Sequence, residues 1–186
     1  MMEIAQPQLS GSETDLGLAP GGKLKLVKGA SIHLQDLPGL SSSLKNGIRC
    51  FDLHELPSDP SHLFVTTDAG IVLHCTRHGS KANPRFYRPS SDVLAEVRSI
   101  DFSPHGLPYF LVGCSDGSVR LYNMKSDKPL ISWPNATNGE PIVCVQWSAS
   151  HPSMFYVLDI SSRVHVWNLV ENLSSPLHSS HFGNGI

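Results

Sequence analysis

One spacing recurs along this chain and leaves few folds open to it. Ile48-Arg49-Cys50-Phe51-Asp52-Leu53, Val97-Arg98-Ser99-Ile100-Asp101-Phe102 and Ile142-Val143-Cys144-Val145-Gln146-Trp147 share the pattern apolar-x-x-apolar-x-apolar. They begin 49 and 45 residues apart. Beyond a polar turn each leads to a second apolar run: Leu63-Phe64-Val65, Phe110-Leu111-Val112 and Met154-Phe155-Tyr156-Val157-Leu158. Tight turns follow at Asp68-Ala69-Gly70, Asp116-Gly117 and Ile160-Ser161-Ser162. Third runs come after them: Ile71-Val72-Leu73-His74-Cys75, Ser118-Val119-Arg120-Leu121-Tyr122 and Arg163-Val164-His165-Val166-Trp167. Upstream, Gly21-Gly22-Lys23-Leu24-Lys25-Leu26-Val27 repeats the turn and the third run. Gly22, Gly70, Gly117 and Ser162 lie 48, 47 and 45 residues apart. A period of this length marks an array of one supersecondary unit.

The unit reads as strands joined by hairpins. Asp-Gly and Ala-Gly supply the positive φ that a two-residue hairpin turn needs. The flanking β-branched and aromatic residues suit packed, pleated strands. The chain's 15 glycines and 14 prolines fit many turns and no long helix. Four strands in ~40–45 residues make a propeller blade, which buries its two faces against its neighbours. That explains Phe110-Leu111-Val112, apolar on both sides of its strand. The fold class is therefore all-β, a partial β-propeller of about three and a half four-stranded blades. The blade units fall at 21–45, 46–96, 97–141 and 142–173, within a propeller part spanning 21–173. Residues 1–20 fit no blade and are expected to be disordered. The tail, 174–186, has room for a last outer strand. Phe102, Trp147 and Trp167 occupy repeat positions that wedge blade against blade. An arc of this kind leaves an end face uncovered, with Val164, Val166 and Trp167 on the last blade, and is expected to associate.

Val97-x-x-Ile100-x-Phe102-Ser103-Pro104, continued by Leu111-Val112-Gly113-Cys114-Ser115-Asp116-Gly117-Ser118-Val119-Arg120-Leu121-Tyr122-Asn123, resembles a WD repeat. Trp167-Asn168 stands at the Trp-Asp position, with Tyr122-Asn123 one blade earlier. No Gly-His dipeptide precedes a first strand, and Asn replaces Asp, so the family's Asp–His–Ser–Trp hydrogen-bond tetrad is not expected. Gly22-Lys23-Leu24-Lys25-Leu26-Val27-Lys28-Gly29 and Asp59-Pro60-Ser61-His62-Leu63-Phe64-Val65-Thr66-Thr67-Asp68-Ala69-Gly70 are similar to the degenerate propeller of the dynein intermediate chains, those of cytoplasmic dynein 2 above all. The resemblance covers about residues 21–170. It implies a non-enzymatic scaffold that binds the dynein 2 heavy chain and other dynein 2 subunits in retrograde intraflagellar transport and cilium assembly. It places the chain in cytoplasm and cytoskeleton, at the cilium and its base. It also implies that the chain is the propeller part of a longer protein or isoform. The alternative is a WD scaffold or substrate receptor in another assembly, a ubiquitin ligase or a ribosome-biogenesis complex.

The residues themselves argue against catalysis. No GxSxG, HExxH, Walker-type loop or GxGxxG occurs. His74 and His78 would share a helix face, but on a strand they are ~13 Å apart, too far for one metal ion. The four cysteines, Cys50, Cys75, Cys114 and Cys144, form no CxxC pair and are read as reduced thiols packed on strands. No cofactor, metal or small-molecule substrate is expected. Fourteen basic against 16 acidic residues leave a net charge of −2, so no broad field favours nucleic acid or a membrane surface. Met1-Met2-Glu3-Ile4 begins no secretory signal pattern, and no apolar run is long enough to span a bilayer. Two surfaces are left as candidate partner-binding sites. Arg98, Asp116, Asp68 and Arg163 belong to loops and turns expected on one face of the propeller. Arg85, Phe86, Tyr87 and Arg88 form a basic-aromatic patch suited to an acidic partner segment.

Overall fold

The structure, a computed structural model, describes residues 47–77, 82–89 and 95–181, with the backbone of 2–4 and 26–28. Two compact units divide the chain, Met1–His33 and Leu34–Ile186. In the first, β1 (Met2–Ile4) pairs antiparallel with β2 (Leu26–Lys28), Met2 opposite Lys28. β2 overlaps the strand expected after Gly22. The rest of the expected unit 21–45 lies outside the described residues, as does the expected disorder of 1–20 apart from β1.

The second unit contains three four-stranded antiparallel sheets. They are β3 (Cys50–Leu56), β4 (Asp59–Thr67), β5 (Val72–Thr76) and β6 (Phe86–Tyr87); β7 (Val97–Phe102), β8 (Tyr109–Cys114), β9 (Val119–Asn123) and β10 (Pro129–Trp133); and β11 (Ile142–Trp147), β12 (Met154–Asp159), β13 (Arg163–Asn168) and β14 (His178–His181). Within each sheet the strands neighbour one another in chain order. Each sheet is one blade, and no helix occurs among the described residues. Among the described residues the three blades form part of a propeller and do not close into a ring. The first strands β3, β7 and β11 pack against one another in succession.

Turn chemistry sets the hairpins. The turns between second and third strands carry positive φ at Gly70 (75°), Gly117 (79°) and Ser162 (59°). These are the three positions that the repeat aligns. Ser162 adopts a conformation where an L side chain is uncommon, so the third turn retains the geometry without the glycine.

Alternation along the strands sends one face to each neighbour. Phe64, Tyr87, Ile100, Phe102, Phe110 and Tyr122 pack between the first and second blades. Leu111, Leu121, Trp133, Trp147, Phe155 and Trp167 pack between the second and third. Phe110, Leu111 and Val112 are all fully buried. Phe102, Trp147 and Trp167 are buried wedges, as their repeat positions require; Trp167 packs toward the second blade, which corrects its expected place on the uncovered end face. A ladder repeats in every blade. Phe64 stacks on His74 (4.2 Å between centroids), Phe110 on Tyr122 (5.2 Å) and Phe155 on Trp167 (5.6 Å). Each pair sits directly across two antiparallel strands. His74 is thus the first blade's counterpart of the Trp167 position.

The cysteines split. Cys75 and Cys114 are buried, and burial pushes the Cys114 thiol up to about 11. Cys50 and Cys144 are exposed, which corrects the expectation of four packed thiols. Cys144 pairs with Leu158 on the face turned away from the second blade, where no further blade of the described chain covers it.

Candidate protein-interaction site

Blade geometry lifts one group of charges together. The Arg49 amide donates to Asp68 Oδ1 (3.1 Å) and its Nε to Asp68 Oδ2 (3.0 Å). The same guanidinium reaches Glu96 Oε1 at 3.6 Å, and Glu96 in turn pairs with Arg98. The Arg98 guanidinium lies 4.4 Å over the Phe51 ring. Asp68 and Arg98, both candidates from the sequence, are therefore joined through Arg49 and Glu96, which the sequence did not single out. Asp116 does not join them. Its carboxylate turns onto its own hairpin, accepting from the Ser118 amide (3.0 Å) and hydroxyl (2.6 Å). Arg163 is exposed on the third blade, and its amide donates to Asp159 Oδ1. Exposed pairs such as Arg49–Asp68 add little to stability, so this chain of charges is better suited to presenting polar groups than to holding the fold.

The basic-aromatic patch divides differently. Arg85, Phe86 and Arg88 border an open groove of 550 Å³ whose other wall is Lys125, Ser126 and Asp127. Arg88 lies 5.3 Å over the Phe86 ring. Tyr87 does not face the groove. Strand alternation turns it inward, where it is fully buried and T-stacked on Phe110 and Tyr122. Its hydroxyl donates to the Met124 carbonyl at 2.8 Å, and burial raises its pKa far above the phenol range.

A third set of polar groups links the innermost strands. Asp52 Oδ2 accepts from the Ile100 amide at 3.2 Å, and Asp101 Oδ2 from the Trp147 amide at 2.6 Å. The first-strand carboxylates of the first and second blades thus clasp the blade that follows. Burial pushes Asp52 up, but hydrogen bonds from His54 and the Ile100 amide outweigh it and hold the carboxyl below its ordinary value. Asp101 is raised because burial prevails over the Trp147 amide. Gln146, at the same repeat position on the last blade, is exposed.

Interior histidines serve the strands. His74 Nδ1 bonds the Pro84 carbonyl (2.8 Å), and its Nε2 meets His62 Nδ1 (2.7 Å). His78, already set aside by strand spacing as a metal partner for His74, lies outside the described residues. In the third blade Asp159, His165 and Ser179 form a relay, with His165 Nε2 2.9 Å from Asp159 Oδ2 and Nδ1 2.8 Å from Ser179 Oγ. It joins β12, β13 and β14. The relay differs from the Asp–His–Ser–Trp tetrad, because the buried Trp167 Nε1 has no acceptor among the described residues.

Comparison with known proteins agrees with this architecture. Residues 65–150 match the family model "Anaphase-promoting complex subunit 4 WD40 domain". The chain is 40% identical over 180 residues to cytoplasmic dynein 2 intermediate chain 1 of Mus musculus, which covers 95% of this chain and 18% of that protein. The Homo sapiens protein of the same name is 37% identical over 180 residues, 95% of this chain and 17% of the relative. Cytoplasmic dynein 1 intermediate chain of Drosophila melanogaster is 28% identical over 122 residues, 63% of this chain and 18% of the relative. The chain therefore spans less than a fifth of the length of these relatives.

Proposed function

We propose, for a WD-repeat chain that resembles cytoplasmic dynein 2 intermediate chain 1, the role of a non-enzymatic scaffold in a dynein complex. The observation that carries the reading is 40% identity over 95% of the chain, extending across all three blades. The partner is the dynein 2 heavy chain, held with other dynein 2 subunits for retrograde intraflagellar transport at the cilium and its base. Blades stapled by buried aromatics form a stiff arc, so little conformational entropy is lost when a partner docks. The Arg49–Asp68–Glu96–Arg98 chain, backed by Phe51, supplies fixed polar groups for that contact. Complementary charges there would set register and association rate more than affinity.

Affinity purification of the tagged chain from ciliated cells is the test. Recovery of dynein 2 heavy chain is the expected result, reduced when Arg49→Ala and Arg98→Ala are combined. Recovery of ubiquitin-ligase or pre-ribosomal subunits without any dynein subunit would instead establish the alternative, a WD scaffold of another assembly.

A further inference from the structure

We propose that the groove between β6 and the β9–β10 turn binds an acidic peptide segment in extended form. The site is distinct from the Arg49–Arg98 surface and does not depend on the identity of the dynein partner. Its first wall comes from the first blade, Arg85, Phe86 and Arg88; its second comes from the second blade, Lys125, Ser126 and Asp127. Among the described residues, three cations and one carboxylate line the groove in a chain whose net charge is −2, a local excess of positive charge. Lys128 adds a fourth cation at its edge.

Three bonds hold the walls together before any ligand arrives. The Tyr87 hydroxyl donates to the Met124 carbonyl at 2.8 Å. The Arg88 amide donates to the Asp127 carbonyl at 2.9 Å, and Lys128 Nζ to the Pro89 carbonyl at 3.2 Å. Each crosses from one blade to the other, so the groove is preformed and does not close around its ligand. The Phe86 ring carries the Arg88 guanidinium 5.3 Å above it, fixing one cation in place. Arg85 and Lys125 make no ion pair among the described residues. No carboxylate among the described residues pairs with either charge.

The occupant follows from this chemistry. Guanidinium groups donate paired hydrogen bonds to carboxylates, and an ammonium group on the facing wall adds a further positive charge. An extended segment rich in carboxylates matches both. Four cations are too small a footprint for nucleic acid, which gains affinity from long tracks of phosphate contacts.

The test is fluorescence anisotropy of the 186-residue chain with a labelled dodecapeptide of Asp-Ser-Glu repeats. An Asn-Ser-Gln peptide and a twelve-nucleotide single strand serve as comparisons. The acidic peptide is expected to bind, at least tenfold more tightly than the neutral one, and more weakly as salt rises. Combining Arg85→Ala with Lys125→Ala should weaken it at least tenfold without moving the thermal transition. Asp127→Asn, which removes the carboxylate lining the groove among the described residues, should tighten it severalfold. Lys125→Glu, a change at an exposed side chain, should abolish the preference for acid. Equal affinity for the neutral peptide, an unchanged affinity in the double variant, or tighter binding of the oligonucleotide would overturn the proposal.

Discussion

A methyl group at position 113 is enough to disturb the joint between the second and third blades. A Cβ on Gly113 would stand 2.6 Å from Ile142 Cγ2 and 2.8 Å from Val145 Cγ1. The neighbours are β-branched side chains on an innermost strand, with little room to turn away. Gly113→Ala is expected to cost about 1–3 kcal/mol by overpacking, read as a lower urea midpoint at unchanged slope. A midpoint equal to the parent's would show that the joint relaxes freely. Asp101 tests the same joint from its polar side. Asp101→Ala leaves the Trp147 amide without its acceptor and should cost about 1–3 kcal/mol, whereas Asp101→Asn retains an oxygen and should cost less. Equal losses for the two variants would exclude the carboxylate–amide clasp as the cause. In the sequence Asp52 and Asp101 stand at one repeat position, yet nothing local reveals their acceptor role. Their donors, Ile100 and Trp147, lie 48 and 46 residues further on.

Among the elements, β5 and β3 each carry a histidine whose pKa is displaced, in opposite directions. A carbonyl only accepts, so His74 Nδ1 must donate to Pro84 and leave Nε2 to accept from His62 Nδ1. Burial pushes the His74 pKa down; the Pro84 bond opposes this, and the charge of His62 adds to the lowering. A histidine whose folded pKa lies below its unfolded value of ~6.5 binds fewer protons folded than unfolded. Its share of stability is present above ~6.5 and is lost as pH falls through the folded value. His54 has the opposite sign. Its hydrogen bond to Asp52 raises it, so its share is present at low pH and lost as pH rises through the folded value. His74→Phe retains a ring over Phe64 and removes the first contribution. Urea midpoints measured between about pH 5 and 7 should then fall off less on the acid side than in the parent. Identical pH profiles would show that protonation of His74 is not what destabilises the blade. The strand order and the hairpins of this region were legible from spacing. The ladder role of His74 was not, because a histidine in an aromatic position reads in sequence as a polar residue.

At the scale of the whole molecule, one blade face lacks a neighbour among the described residues. On the second blade, Leu111, Val119 and Leu121 lie under the third blade and are 0%, 0% and 6% exposed. The corresponding face of the third blade carries Tyr156, Leu158, Val164 and Val166, all half-buried, with Cys144 and Gln146 exposed beside them. An apolar sheet face of this sort favours association, here with a second copy of the chain. Light scattering on the purified chain should give a mass above 20.3 kDa that rises with concentration. Val164→Lys combined with Val166→Lys should return it toward the monomer with an unchanged far-ultraviolet spectrum. A parent chain that is monomeric at all concentrations would show that this face is satisfied within the chain.

The repeat period, the strand order within each blade and the turn positions followed from sequence, because all of them are local. A hairpin is closed by residues a few positions apart, and its glycines and alternation are written where they act. What the blades do to one another was decided only by tertiary packing. Tyr87 and Phe86 are adjacent and equally aromatic, and pleating alone sends one into the core and the other to the groove. Lys125 and Asp127 meet Arg85 and Arg88 across some 40 residues of chain, so neither half of the groove announces the other. Arg49 and Glu96 likewise become a bridge between Asp68 and Arg98 only when two blades stand side by side. Short-range periodicity specifies the blade. The charged surfaces arise from contacts between blades, and those depend on which faces the packing brings together.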